Sequence, residues 1–152
     1  MLFSVNELHY PLVAFDLDGT LVEHHEPIWK TLHEACGSDL VRRKAVIKAA
    51  MSGEISYAEW FAADIEMLRD AGVTRAAVHA LIAELRLVPG ARQLISDLRA
   101  SGARVAVISG GIACVTEVLL PEQELDALFI NRLHYDQEGH LIGGEATPFD
   151  RE

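Results

Sequence analysis

Asp16 and Asp18 stand one residue apart in the stretch VAFDLDGTL, residues 13–21, where an apolar run breaks into two carboxylates, a glycine and a threonine. Two carboxylates this close repel unless a cation lies between them or one holds a proton. A hard divalent ion such as Mg²⁺ accepts one or two carboxylates together with waters and phosphate oxygens, which gives the pair a reason to exist. With the ion in place, one carboxylate of the pair can act as nucleophile while the other handles the proton of a leaving group. A second chemical segment, Ser109-Gly110-Gly111, closes another apolar run. Its hydroxyl and unhindered amides suit a phosphate oxygen. Phosphoryl transfer is the reaction class that fits both segments. A D-x-D pair alone is common in turns, and S-G-G alone is common in loops. Their joint appearance, each after a buried apolar run, shifts the reading to function.

The elements that must position these groups follow from periodicity. Residues 10–16, YPLVAFD, form a continuous apolar run and predict a strand buried on both faces of a parallel sheet. Helical spacing takes over from Glu26 to about Val88. It predicts helices over 27–36, over 40–51, from Ser56 to Gly72, and from a Thr74 cap to about Arg86. Ser56 and Glu59 have the spacing of a capping box. After the Pro89-Gly90 break, Leu94, Ile95 and Leu98 stripe a helix that Gly102 ends. RVAVIS at 104–109 is a second strand, followed by a helix to Leu120, and ALFIN at 127–131 is a third, with Glu138-Gly139 as a hairpin turn. Strand, helical insert, helix, strand, helix, strand is the order of an α/β fold: a Rossmann-like parallel sheet with a helical cap inserted after the first strand. Ligands of such sheets bind beyond the carboxyl ends of the strands, where Asp16, Asp18 and Ser109 fall.

Composition narrows the function classes. The 152 residues are half apolar, enough for one core and a small subdomain. A net charge of -10 argues against nucleic acid and anionic membranes as partners. With no signal-like or membrane-spanning run, a cytoplasmic protein is the expectation. Cys36 and Cys114 lie far apart and read as small buried apolar residues.

At these motifs the chain resembles the haloacid dehalogenase superfamily, specifically its phosphoserine-phosphatase-like branch. The resemblance rests on FDLDGTLV, the helical insert directly after it, LVPGARQLISDLRASGARVAVISGG, and ALFINRLHYDQEGHLIGG. It implies a core over 1–25 and 89–152 and a cap over 26–88. It implies that Asp16 is the nucleophile forming an aspartyl-phosphate and Asp18 the general acid and base. Mg²⁺ would be held by the Asp16 carboxylate and the Asp18 carbonyl. Ser109 and Gly110 would bind the phosphoryl group, Thr20 would brace the loop, and Glu26, or less favourably Glu23, would meet a substrate amine. The implied activity is a Mg²⁺-dependent phosphatase acting on a small phosphorylated metabolite.

Two departures from the family pattern matter. The family's phosphate-binding lysine and second acidic motif follow the third and fourth strands, and neither is found before Glu152. Lys44 and Lys48 fall in the cap segment instead. The expectation is an N-terminal fragment that is incomplete for turnover, its first strand an exposed edge prone to self-association. Second, Asp64 stands where the branch has an arginine for the substrate carboxylate, which points away from phosphoserine itself. Arg69 lies more than a turn further along. His24 and His25 read as a solvated hinge, Trp29, Trp60 and Phe61 as packing between cap and core, and Asn131-Arg132 as a structural hydrogen-bonding pair. Two other functions share the same motifs: a phosphotransferase, and a non-catalytic module that binds a phosphorylated ligand.

Overall fold

Four strands and six helices make up the computed structural model, which describes residues 10–23, 26–120 and 124–148. In chain order they are β1 (Leu12–Phe15), α1 (Ile28–Ala35), α2 (Leu40–Met51), α3 (Tyr57–Asp70), α4 (Arg75–Ala83), α5 (Ala91–Ala100), β2 (Arg104–Ile112), α6 (Ala113–Leu119), β3 (Ala127–Tyr135) and β4 (Leu141–Glu145). The sheet order is β1-β2-β3-β4. β1 and β2 run parallel from Leu12 opposite Arg104, β2 and β3 are parallel, and β4 returns antiparallel to β3. The expected α/β architecture with a helical insert after the first strand is therefore present.

Local chemistry sets the helix ends. Ser56 accepts a hydrogen bond from Glu59 N while Glu59 accepts one from Ser56 N, so the expected capping box starts α3. Asp39 caps α2 and Thr74 caps α4. α4 ends at Ala83, short of Arg86, because the following residues go to sheet-like pairing instead. Val22 bridges Leu87, Glu23 N donates to Arg86 O and Val88 N donates to Leu21 O. The outgoing and returning chains of the insert are thus zipped together. One continuous apolar cluster joins Phe61, Ile65 and Leu68 of α3, and Val78 and Ile82 of α4, to Val105 and Val107 of β2.

β1 departs from expectation. Rather than being buried on both faces, it alternates exposed and half-buried residues, with Leu12 54% exposed. It occupies the end of the sheet and pairs only with β2 among the described residues. Its Leu12 face is largely uncovered by the described residues, and an apolar run alone does not say which faces are covered. Cys114 is buried as expected, whereas Cys36 is only half-buried. His24 and His25 lie outside the described residues.

Candidate active site

The chain leaves β1 at Asp16 and folds at once into a tight loop, in which the amides of Thr20, Leu21 and Val22 all converge on the Leu17 carbonyl. Gly19 sits at φ 74°, a left-handed conformation that costs other residues and that glycine adopts freely. Leu17 anchors the loop in the core with no exposed surface. Alternation around this buried residue turns Asp16 and Asp18 the other way. Asp16 Oδ1 accepts from Leu17 N at 2.7 Å, and Asp18 Oδ2 accepts from Ile28 N, the first residue of α1, at 3.0 Å. Asp18 therefore ties the motif loop to the start of the helical insert. A carboxylate there also meets the positive end of the helix.

β2 supplies the opposite wall. Ile108 pairs with Phe129 and Ile112 with Asn131, so four steps along β2 match two along β3. The extra residues, Ser109 to Gly111, bulge out of the ladder, the usual device for aiming a side chain at a site. The strand thus continues three residues beyond its expected end at Ser109, and α6 begins only at Ala113. Buried Asn131 holds the bulge: its Nδ2 donates to Gly110 O at 2.7 Å and Gly111 O at 3.0 Å, and its Oδ1 accepts from Thr147 N at 2.8 Å. Trp29 Nε1 donates to the same Gly110 O at 2.8 Å. The structural role expected for Asn131 is what it performs. Ser109 Oγ accepts from Gly111 N at 3.1 Å. A Cβ on Gly111 would lie 3.3 Å from Ser109 Oγ and 3.8 Å from Asp18 Oδ2, a tight fit where the two motifs meet.

Asp16, Asp18, Ser109, Gly110 and Gly111 line one cavity of about 470 Å³, closed on its other side by Trp29, Ile47, Met51, Tyr57, Trp60 and Phe61. Trp29 and Phe61 pack edge to face at 5.8 Å. These aromatic residues do pack insert against sheet, and they are cavity wall at the same time. Thr20 and Glu26 do not line the cavity. Thr20 is exposed within the motif loop, and Glu26 pairs with Lys30 at 2.7 Å, which raises the Lys30 ammonium above its ordinary pKa. Lys44 and Lys48 are exposed on α2.

Arg43 was not singled out from the sequence, yet it is the buried cation of the cavity. Asp64, 4% exposed, places Oδ1 3.3 Å from Arg43 Nε and 3.2 Å from His33 Nε2, and His33 Nδ1 lies 2.6 Å from Ser38 Oγ. Asp64 on α3 thus anchors a guanidinium from the neighbouring helix α2. Asp64's spacing on α3 gave only half of this pairing, because the other half is on α2.

The donor set of the Asp16-Asp18 loop is all oxygen: two carboxylates and the main-chain carbonyls between them. That chemistry fits a hard cation such as Mg²⁺, which takes one or two carboxylates and fills its octahedron with water and phosphate oxygens.

Comparison with known proteins shows the family. The profile of the haloacid dehalogenase-like hydrolases matches residues 10–148. A phosphoserine phosphatase of Streptomyces coelicolor is 35% identical over 132 residues, 87% of this chain and 31% of that protein. One of Archaeoglobus fulgidus is 34% identical over 132 residues, 87% of this chain and 37% of that protein. A solved substrate-bound phosphoserine phosphatase complex matches with a TM-score of 0.69 at 26% identity, over 92% of this chain and 64% of that one. The chain spans about a third of the length of the two curated relatives. The chain belongs to the haloacid dehalogenase-like hydrolase family.

Proposed function

We propose that this chain carries the nucleophile half of a Mg²⁺-dependent phosphomonoesterase that works through an aspartyl-phosphate on Asp16. The observation that carries the reading is the convergence of Asp16, Asp18, Ser109 and Gly110 on one cavity from two separate strand ends. In the first step an Asp16 carboxylate oxygen bonds to phosphorus as the bond from phosphorus to the leaving oxygen breaks. Asp18 gives that oxygen its proton. In the second step Asp18 takes a proton from water, whose oxygen attacks phosphorus and releases Asp16 and inorganic phosphate. Ser109 Oγ and the Gly110 amide bind the phosphoryl oxygens. Mg²⁺, held by the Asp16 carboxylate and the Asp18 carbonyl, would supply charge neutralisation for the phosphoryl group. Thr20 braces the loop, and Glu26, paired with Lys30 outside the cavity wall, would have to leave that pair to meet a substrate amine.

The substrate is a small phosphorylated metabolite held in the cytoplasm, with its non-phosphate part against the aromatic wall. Arg43 is the group in that wall suited to a carboxylate. A substrate such as phosphoserine would find its guanidinium there rather than at position 64. The activities of the phosphoserine phosphatase relatives support this class of substrate.

The test is phosphate release from a panel of phosphomonoesters, phosphoserine included, by this chain and by longer chains containing it. The expected result is Mg²⁺-dependent release that Asp16→Asn abolishes, with an Arg43→Ala variant raising KM more than it lowers kcat on carboxylate-bearing substrates. Turnover by the 152 residues alone is expected to be weak, since Lys30, the lysine that lines the cavity, is paired with Glu26, and Lys44 and Lys48 do not line it. Release that Asp16→Asn leaves unchanged overturns the proposal.

A further inference from the structure

A second cluster lies apart from the cavity, between α4 and α6. His79 of α4 and Cys114 and Glu117 of α6 bring one ligand atom each within 4.8 Å of one another. They line a separate cavity of about 320 Å³ together with Arg75, Arg132 and Tyr135. Cys114 and Glu117 are three apart on one helix and therefore share a face, and His79 arrives from the helix packed against it. We propose that His79, Cys114 and Glu117 form a binding site for a borderline-soft divalent ion such as Zn²⁺, which bridges α4 to α6.

The donor types carry the choice of ion. Imidazole nitrogen, thiolate sulfur and carboxylate oxygen are the zinc donors, and three protein ligands with a fourth position left for water is a common zinc arrangement. A hard ion such as Mg²⁺ has no use for the sulfur. Tetrahedral zinc with bonds of 2.0 to 2.3 Å holds its ligands roughly 3.3 to 3.8 Å apart. Closing the present spacing needs movement of about 1 Å, and His79 and Glu117 are exposed side chains free to supply it. Cys114, 5% exposed, is the fixed corner.

Two neighbours bear on the site from opposite directions. The Tyr135 hydroxyl is buried beside Cys114 and directed at its sulfur, the kind of outer hydrogen bond that orients a metal-bound thiolate. Arg75 opposes a cation, but its guanidinium lies over the Tyr135 ring at 5.0 Å, where its charge is directed at the aromatic face. The thiolate and the Glu117 carboxylate together match a divalent charge. Because α6 starts two residues after Gly111, an ion here fixes the helix that follows the phosphate bulge to the helical insert.

Cobalt titration of the 152-residue chain tests the site without any reference to phosphatase activity. One equivalent of Co²⁺ is expected to produce thiolate-to-metal charge-transfer absorption that Zn²⁺ displaces and a large excess of Mg²⁺ does not. Cys114→Ser abolishes the band and Cys36→Ser leaves it. His79→Ala, a surface change that spares the fold, weakens Co²⁺ binding at least tenfold, and Arg75→Gln strengthens it. Binding without a thiolate band, or a band that His79→Ala leaves at the same affinity, overturns the assignment. Co²⁺ held instead by Asp136, Glu138 and His140, the other oxygen- and nitrogen-bearing group among the described residues, would show itself by lacking the band.

Discussion

Asp64 on α3 and Arg43 on α2 meet in the cavity wall, Oδ1 to Nε at 3.3 Å, both almost fully buried. A buried pair owes its apparent strength to the cost of leaving one member alone. Asp64→Ala is expected to lose about 3 to 5 kcal/mol of stability, and the double change Asp64→Leu with Arg43→Met much less. Urea denaturation of the three proteins checks this. A double variant as unstable as the single one would show that packing, not charge isolation, governs the site.

Asn131 holds the Ser109–Gly111 bulge by two of its carbonyls, and removing it leaves Gly111 O to find another donor and Gly110 O with Trp29 Nε1. Asn131→Ala is expected to cost about 2 to 4 kcal/mol and to weaken binding of phosphorylated ligands at least tenfold. Tyr57→Phe removes the outer hydroxyl contact to Asn131, at 2.9 Å from its Nδ2, and should cost about 1 kcal/mol. Chemical denaturation and ligand titration on both variants make the comparison. Equal effects would place the anchor elsewhere.

The capping box gives a pH signature. Hydrogen bonds from the Ser56 amide and hydroxyl hold the Glu59 carboxyl below its usual pKa. A folded pKa that is depressed contributes stability above the unfolded value of about 4.3, and that contribution is lost as pH falls through the folded value. The melting-temperature gap between the parent and Glu59→Gln should therefore be widest near neutrality and shrink below pH about 4. A gap that does not change between neutral and acidic pH would remove Glu59's charge from the account.

Leu12 and Ile108 share one face of the sheet and are 54% and 42% exposed. An apolar face beside a strand edge that has no partner among the described residues favours pairing with another chain. Sedimentation should show self-association that rises with concentration and falls in a Leu12→Lys, Ile108→Lys variant. A monomer across the whole range would contradict it.

Local signals carried most of the fold into the sequence. Leu40 and Met51 bound α2 as read, because caps and breaks act over a single turn. Asp16, Asp18 and Ser109 were legible for a similar reason, each lying at the end of an apolar run. Arg43 was not: its partner Asp64 is on another helix, and on α2 it is one of three basic residues in a row with no apolar stripe to mark an inward face. The bulge at Ser109–Gly111 was also hidden, since the register that creates it belongs to β3. Glu26 was placed by the family resemblance, and the structure puts it against Lys30, outside the cavity wall.

The most direct measurement is an amide-resolved NMR titration of the 152-residue chain with inorganic phosphate, in Mg²⁺ and then in a chelator. The account predicts Mg²⁺-dependent shifts centred on Asp16 to Thr20 and Ser109 to Gly111, lost in Asp16→Asn. Shifts centred elsewhere, or the same shifts in Asp16→Asn, would contradict a phosphate site built on Asp16.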